Sequence, residues 1–216
     1  EAVSRLSGED GASMNLICVG LNHKVCPVEI REKLAFSEAE LPLALSQLKK
    51  MDGVQECFLL STCNRVEFYG HGRPEIESHF MALLQDFHQV DGKEVTPYLY
   101  RFRDREAIRH LFRVTSCLDS LVVGENEIYG QVRSAFRLAN EMNALESILY
   151  QALERAIRAG KRVRSETRIN DRAVSVSSIA VELARKIFGP LTGERVLVLG
   201  TGKMSAQTMK HLAASN

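Results

Sequence analysis

The chain has 216 residues, 45% of them hydrophobic and 25% charged, with a formal net charge of +1. That length supports one large or two modest domains with cores of their own, and the near-neutral balance means that any nucleic-acid-binding surface must be a local patch. No apolar run approaches the roughly 18 residues of a membrane span, so no membrane association is expected.

Residues Glu1 to Ser13 are polar and contain Gly and Ser; they read as a leader ahead of a native start at Met14. There is no secretory apolar region and no Arg/Ser-rich transit segment, which makes the cytoplasm the expected address. The five cysteines, Cys18, Cys26, Cys57, Cys63 and Cys117, form no Cys-x-x-Cys pair and no His/Cys spacing of a zinc site. They are read as reduced thiols, and no metal is expected.

Leu16 to Leu21 reads as a first strand, followed by a loop through Asn22-His23-Lys24 and Cys26-Pro27. Ser37-Glu38-Ala39-Glu40 has the form of a capping box opening a helix towards Leu48, with Pro42 in its first turn. Cys57 to Leu60 is an apolar run typical of a buried strand, and Val66 and Phe68 alternate as a second strand. A loop at Gly70 to Pro74 and a helix over Ile76 to Val90 follow. This order predicts a small α/β sandwich with helices on one face of an antiparallel or mixed sheet.

Between the two strands lies Thr62-Cys63-Asn64-Arg65. A cysteine there stands at the mouth of a strand beside a guanidinium, and a positive neighbour lowers a thiol's pKa towards the nucleophilic thiolate. Cys63 is the candidate nucleophile, against the common case of a cysteine that only fills space.

From Arg105 the pattern is helical. Ala107, Ile108, Leu111 and Phe112 form one stripe, and Leu145, Ile148, Leu149, Ala152, Leu153, Ala156 and Ile157 a longer one. His110 falls off its stripe, which by periodicity alone predicts an exposed residue without a role. Arg155, Arg158, Lys161, Arg162, Arg164, Arg168 and Arg172 form a basic run that is either a solvated helix face or a phosphate-binding surface. A helix over Val174 to Phe188 is expected to bury Val176, Ile179, Ala180, Leu183, Ala184 and Ile187. Arg195 to Leu199 then reads as a buried strand leading through Gly200-Thr201-Gly202-Lys203-Met204-Ser205 into a helix, the arrangement that holds a dinucleotide pyrophosphate.

Several stretches together resemble the glutamyl-tRNA reductase family: Gly20 to Lys24 with Pro27 to Glu32, Ser61 to Arg65, Leu118 to Glu125 with Gly130 to Val132, Gly160 to Arg164, Ala173 to Ser178, and Gly200 to Met204. The resemblance implies an α/β chain comprising an α+β catalytic domain with helices on a small sheet over residues 14–160, a spinal helix region over 161–190, and the start of a Rossmann-type NADPH domain over 191–216. It implies that Cys63 is the nucleophile and His110 a residue important for activity. Thr62, Asn64, Arg65, Ser120, Glu125, Asn126, Glu127 and Gln131 would then line the glutamyl pocket, and Gly200, Thr201, Gly202, Lys203, Met204 and Ser205 the phosphate loop of NADPH. Arg65 is suited to the substrate carboxylate by its planar fork. The substrate would be glutamyl-tRNA(Glu), the product glutamate-1-semialdehyde for tetrapyrrole synthesis, the full-length assembly a V-shaped homodimer, and a glutamate-1-semialdehyde aminomutase a candidate partner.

Cys26, Cys117 and Glu127 depart from the family pattern, which usually has Ala or Thr, Gly, and Gln there. The ribose-reading residue would fall beyond Asn216, so the chain is expected to form the thioester without full reductase activity. The alternatives from other classes are a thiol-dependent esterase or acyltransferase on aminoacyl-tRNA and a non-catalytic tRNA-binding module.

Overall fold

A computed structural model describes residues 15–125, 127–167, 169 and 176–214. The proposed leader and Met14 lie outside that range, as do Asn126, Arg168, Arg172 and the first residues of the last predicted spinal segment.

Four strands, β1 (Leu16–Asn22), β2 (Val54–Ser61), β3 (Arg65–Gly72) and β4 (Tyr100–Arg103), form one antiparallel sheet in the order β2-β3-β1-β4. The expected first strand and the pair around Cys63 are present, β3 running on through the predicted loop to Gly72. β4 is an addition: four residues with Tyr100 and Phe102 give too short an alternation to be read alone, and the strand forms by pairing with β1 far away in sequence. Only half of the capping box is made: Glu40 Oε2 accepts from the Ser37 amide at 2.7 Å, but the Ser37 hydroxyl donates to the same carboxylate instead of accepting from the Glu40 amide, and the α-helix α2 starts after it, at Leu41–Lys50. Pro42 then falls in the first turn, where its missing N–H costs nothing.

Helices cover both faces of the sheet rather than one. Alternate β3 residues point to opposite sides. Phe68 stacks on Phe80 of α3 (Ile76–His88) at 5.2 Å, whereas Glu67 faces His110 of α5 (Asp104–Thr115). Every residue of β1 is buried in consequence, so its run is apolar without alternation. A short helix, α1 (Val28–Lys33), follows β1, and another, α4 (Gly92–Val95), precedes β4.

The helices α6 (Glu127–Glu141) and α7 (Ile148–Glu166) complete the core, with Leu149, Ala152, Leu153 and Ala156 buried along the predicted stripe. Residue 160, expected as a domain edge, lies inside α7. The first turn of α7 is held by a residue the sequence did not single out. Glu56, fully buried at the start of β2, accepts from the amides of Glu146, Ile148 and Leu149 at 2.8 to 3.1 Å. A carboxylate there satisfies orphan donors and faces the positive end of the helix dipole.

After α7 come α8 (Val176–Phe188) and α9 (Lys203–Ala213), which pack on each other. The buried face of α8 is carried by Ser177 and Val181, while Ile179, Leu183 and Ile187 are exposed, contrary to the predicted stripe. Arg195 to Leu199 is not a strand, and Val196, Leu197 and Leu199 are exposed. A buried strand needs a neighbouring strand for its amides, and no described strand pairs with this segment. No described helix is long and apolar enough to cross a membrane.

Candidate active site

The turn between β2 and β3 explains why Cys63 is presented. The Thr62 amide donates to the Arg65 carbonyl at 2.8 Å, and Thr62 Oγ1 accepts from the amides of Asn64 and Arg65, both at 3.1 Å. A threonine hydroxyl bonding the backbone ahead of it closes such a turn, which leaves Cys63 at its tip. Cys63 is the one exposed thiol; Cys18, Cys26, Cys57 and Cys117 are buried.

The tip is clamped from the β1–α1 side. The His23 amide donates to the Asn64 carbonyl at 2.9 Å, and Arg31 Nε donates to the Cys63 carbonyl at 2.9 Å while its Nη1 reaches the Cys26 carbonyl. Arg31 is buried and was given no role by the sequence; it sits in a short helix whose pattern says nothing about a turn so far along the chain.

Thr62, Cys63, Asn64, Arg65, Ser120, Glu125, Glu127 and Gln131 line one narrow cleft, closed by Leu121 and Ile128. Every predicted pocket residue within the described range is therefore brought together, and only Asn126 lies outside it. Gly124 makes the approach: its φ of +88° suits glycine, and a side chain there would meet the Ile169 carbonyl at 2.2 Å. Cys117 adopts φ +60° at the end of α5, a left-handed position that glycine takes without strain, which accounts physically for glycine as the usual residue.

The electrostatics differ from expectation. Arg65 does not activate the thiol. Its guanidinium is buried, with Nη1 2.6 Å from Glu67 Oε1 and Nη2 2.7 Å from the Asp119 carbonyl, so both arms of the fork are engaged inside the protein. Residues two apart in a strand share a face, and that places Glu67 beside Arg65. Although Cys63 is exposed as a residue, the protein packed around its thiol pushes the pKa up, the carboxylates of Glu127 and Glu125 push it the same way, and Arg31 opposes them. Glu125 is itself raised by burial, with the neighbouring Glu127 charge adding to the rise.

His110 is buried rather than exposed, with Nε2 2.8 Å from Glu67 Oε1. It stands behind the Arg65–Glu67 pair and is not in the cleft. Glu67 also accepts from Tyr100 at 2.5 Å and Tyr69 at 2.8 Å. Burial alone would raise its pKa, but the Arg65 charge and the bond from His110 bring it down to about 2. Ligand atoms of Cys18, Glu67 and His110 lie within 4.8 Å of one another, yet Arg65 already occupies the same carboxylate oxygen and its fixed charge disfavours a second cation there.

The basic run on α7 has the geometry of a solvated face. Arg158 pairs with Glu154 and Arg162 with Glu166 one turn apart, and Arg155 bonds Gln151. Arg164 instead lies over the Tyr129 ring at 5.1 Å.

Gly200 to Ser205 lead into α9, with Gly200 at φ +123° and Gly202 as the N-cap. Such a turn and helix start suit the phosphates of a dinucleotide. The fit ends there, because Arg195 to Leu199 forms no strand and no described residue builds a nicotinamide pocket around the turn.

Comparison with known proteins identifies the family. The family described as glutamyl-tRNAGlu reductase, N-terminal domain, matches residues 19–167. A glutamyl-tRNA reductase of Shouchella clausii is 48% identical over 204 residues, covering 94% of this chain and 45% of that protein; one of Heliobacterium mobile is 46% identical over 204 residues, covering 93% and 46%. The solved glutamyl-tRNA reductase from Methanopyrus kandleri superposes with a TM-score of 0.68 at 38% identity, covering 94% of this chain and 47% of that one. The chain spans about half the length of the curated relatives it matches. Over that span, the fold, the turn bearing Cys63 and the match along most of the sequence place the chain in the glutamyl-tRNA reductase family.

Proposed function

We propose that this chain carries the acyl-transfer chemistry of glutamyl-tRNA reduction. Cys63 Sγ attacks the ester carbonyl of glutamyl-tRNA(Glu), the bond to the terminal ribose oxygen breaks, and the tRNA leaves as its free hydroxyl, taking up the proton lost by the thiol. The glutamyl group remains as a thioester. Asn64, Ser120 and Gln131 offer neutral hydrogen-bonding groups to it, and Glu125 and Glu127 face its ammonium. Thr62 shapes the turn, while Arg65 and His110 act through Glu67 as positioning residues for the wall behind. NADPH, when bound, supplies the hydride that turns the thioester into glutamate-1-semialdehyde for tetrapyrrole synthesis. Gly200 to Ser205 would hold its phosphates in a Rossmann-type domain. A homodimer and an aminomutase that takes over the reactive aldehyde belong to the same reading, as does the cytoplasm, whose reducing conditions suit five free thiols.

The observation that carries this reading is the exposed Cys63 at the tip of its turn, in a cleft shared with Ser120, Glu125, Glu127 and Gln131 from a distant part of the chain. Incubation with tRNA charged with radiolabelled glutamate should label the parent chain through a thioester, cleaved by hydroxylamine, and leave Cys63→Ser unlabelled. Equal labelling of the serine variant would move the nucleophile elsewhere. Release of glutamate without an adduct on the parent would favour simple hydrolysis of the ester.

A further inference from the structure

A cavity of about 430 Å³ adjoins the Cys63 cleft and has no part in the chemistry above. Asp119 lines the cavity and the next residue, Ser120, lines the cleft, so one backbone segment forms the wall between them. On the other side, Asn22 and Lys24 line the cavity while His23 between them holds the Cys63 turn through Asn64. A ligand in the cavity is thereby placed next to the nucleophile.

The lining combines aromatic and cationic groups. The rings of Phe102 and His110 lie 4.7 Å apart and those of Tyr100 and Phe102 5.3 Å apart. Bonds from His110 and the Tyr100 hydroxyl to Glu67 fix that aromatic wall, and Phe102 is only half-buried, which leaves its ring a surface for stacking. Arg109 and Arg113 stand one helical turn apart on α5 and both line the cavity. Arg109 lies 3.9 Å from Glu106, and Arg113 forms no ion pair with any described residue. The cavity's other carboxylate, Asp119, is balanced by Lys24 at 2.5 Å and by Arg65. What is left to a ligand is the half-buried Phe102 ring, set among the tilted rings of Tyr100 and His110, beside an unneutralised guanidinium, with room for a nucleoside-sized group. Bases stack on such rings, and phosphates pair with such forks.

We propose that this cavity seats the 3′-terminal nucleotide of the charged tRNA, its base against Phe102 and its phosphate between Arg109 and Arg113, with the aminoacyl ester passing the Asp119–Ser120 wall to reach Cys63. The inference rests on the acyl-transfer reading. It is tested by measuring the affinity of the 216-residue chain for tRNA(Glu) and for the same RNA lacking its terminal nucleotide. The parent should bind the shortened RNA about tenfold more weakly, the order expected for loss of one stacked base. In Arg113→Glu, an exposed position, and in Phe102→Ala, the two RNAs should bind alike. An equal loss of affinity for both RNAs in these variants would place their contacts away from the terminal nucleotide and overturn the proposal. So would a parent indifferent to the truncation, the result expected if the cavity took a free nucleotide. If Cys63 is still glutamylated by charged tRNA in that case, only the cavity assignment fails; if Cys63 is never glutamylated, the acyl-transfer reading fails with it.

Discussion

Replacing Glu67 by Gln isolates the charge at the centre of the protein. The carboxylate is fully buried and accepts from Arg65, His110, Tyr100 and Tyr69. Its pKa is brought from the ordinary 4.5 down to about 2. At about 1.4 kcal/mol per unit, that depression corresponds to about 3 kcal/mol of stability. The sign follows from the direction: a depressed folded-state pKa stabilises the fold fully above the unfolded value near 4.5, and the contribution is lost as the pH falls through about 2. Removing one partner of a buried pair costs ~3–5 kcal/mol, so the two routes agree. Glutamine keeps the shape but leaves the Arg65 charge with Asp119 alone. Urea unfolding followed by far-ultraviolet circular dichroism should therefore show Glu67→Gln about 3 kcal/mol less stable than the parent at pH 7, the gap shrinking below pH 4. A loss under about 1 kcal/mol at pH 7, or a gap unchanged at pH 3, would refute the reasoning.

Glu56→Ala removes the acceptor of three amides at the start of α7, of which that of Leu149 is buried, at about 1–3 kcal/mol for a buried donor left unpaired, so thermal unfolding should shift down by about 5 °C; an unchanged midpoint would mean that water replaces the carboxylate. Glu127→Gln takes away one of the charges that raise the Cys63 pKa, so the thiolate fraction at pH 7 and the rate of alkylation by iodoacetamide should rise several-fold, with the pH profile displaced to lower pH. An unmoved profile would leave burial as the cause of the shift.

What the sequence made legible was local. Thr62 to Arg65 announces its turn because a threonine hydroxyl, a short polar gap and two flanking apolar runs act within a few residues of one another. The stripe of α7 is equally direct, since 3.6-residue periodicity records the face it buries. β4 escaped because its evidence is its pairing with β1, and His110 because a polar residue off an apolar stripe is buried only when a partner such as Glu67 waits across the core. The direction of Arg65 was within reach: Glu67 two residues on in the same strand, with Tyr69 beyond it, puts a carboxylate and a phenol on the same face as the guanidinium. α8 and Arg195 to Leu199 misled because apolar periodicity states what could be covered, and the cover must come from other residues.

The distribution of charge also bears on how the nucleophile is controlled. The cleft holds two carboxylates beside a thiol, and the guanidinium of Arg31, which holds the turn, is engaged with backbone carbonyls. Burial, and after it the two carboxylates, push the thiol pKa up. On the acyl-transfer reading, an arriving glutamyl group brings its ammonium to Glu125 and Glu127 and offsets the two charges that add to burial in raising the Cys63 pKa. A substrate with a free ammonium then relieves part of the upward push on the Cys63 pKa, while an acyl group lacking it relieves none. The carboxylate Glu127, where the family pattern has an amide, strengthens this dependence on the substrate's own charge. On the same reading the charges divide into two groups: Arg65, Glu67 and His110 are engaged with one another behind the turn, and the acidic pair in the cleft is left to act on the turn's cysteine.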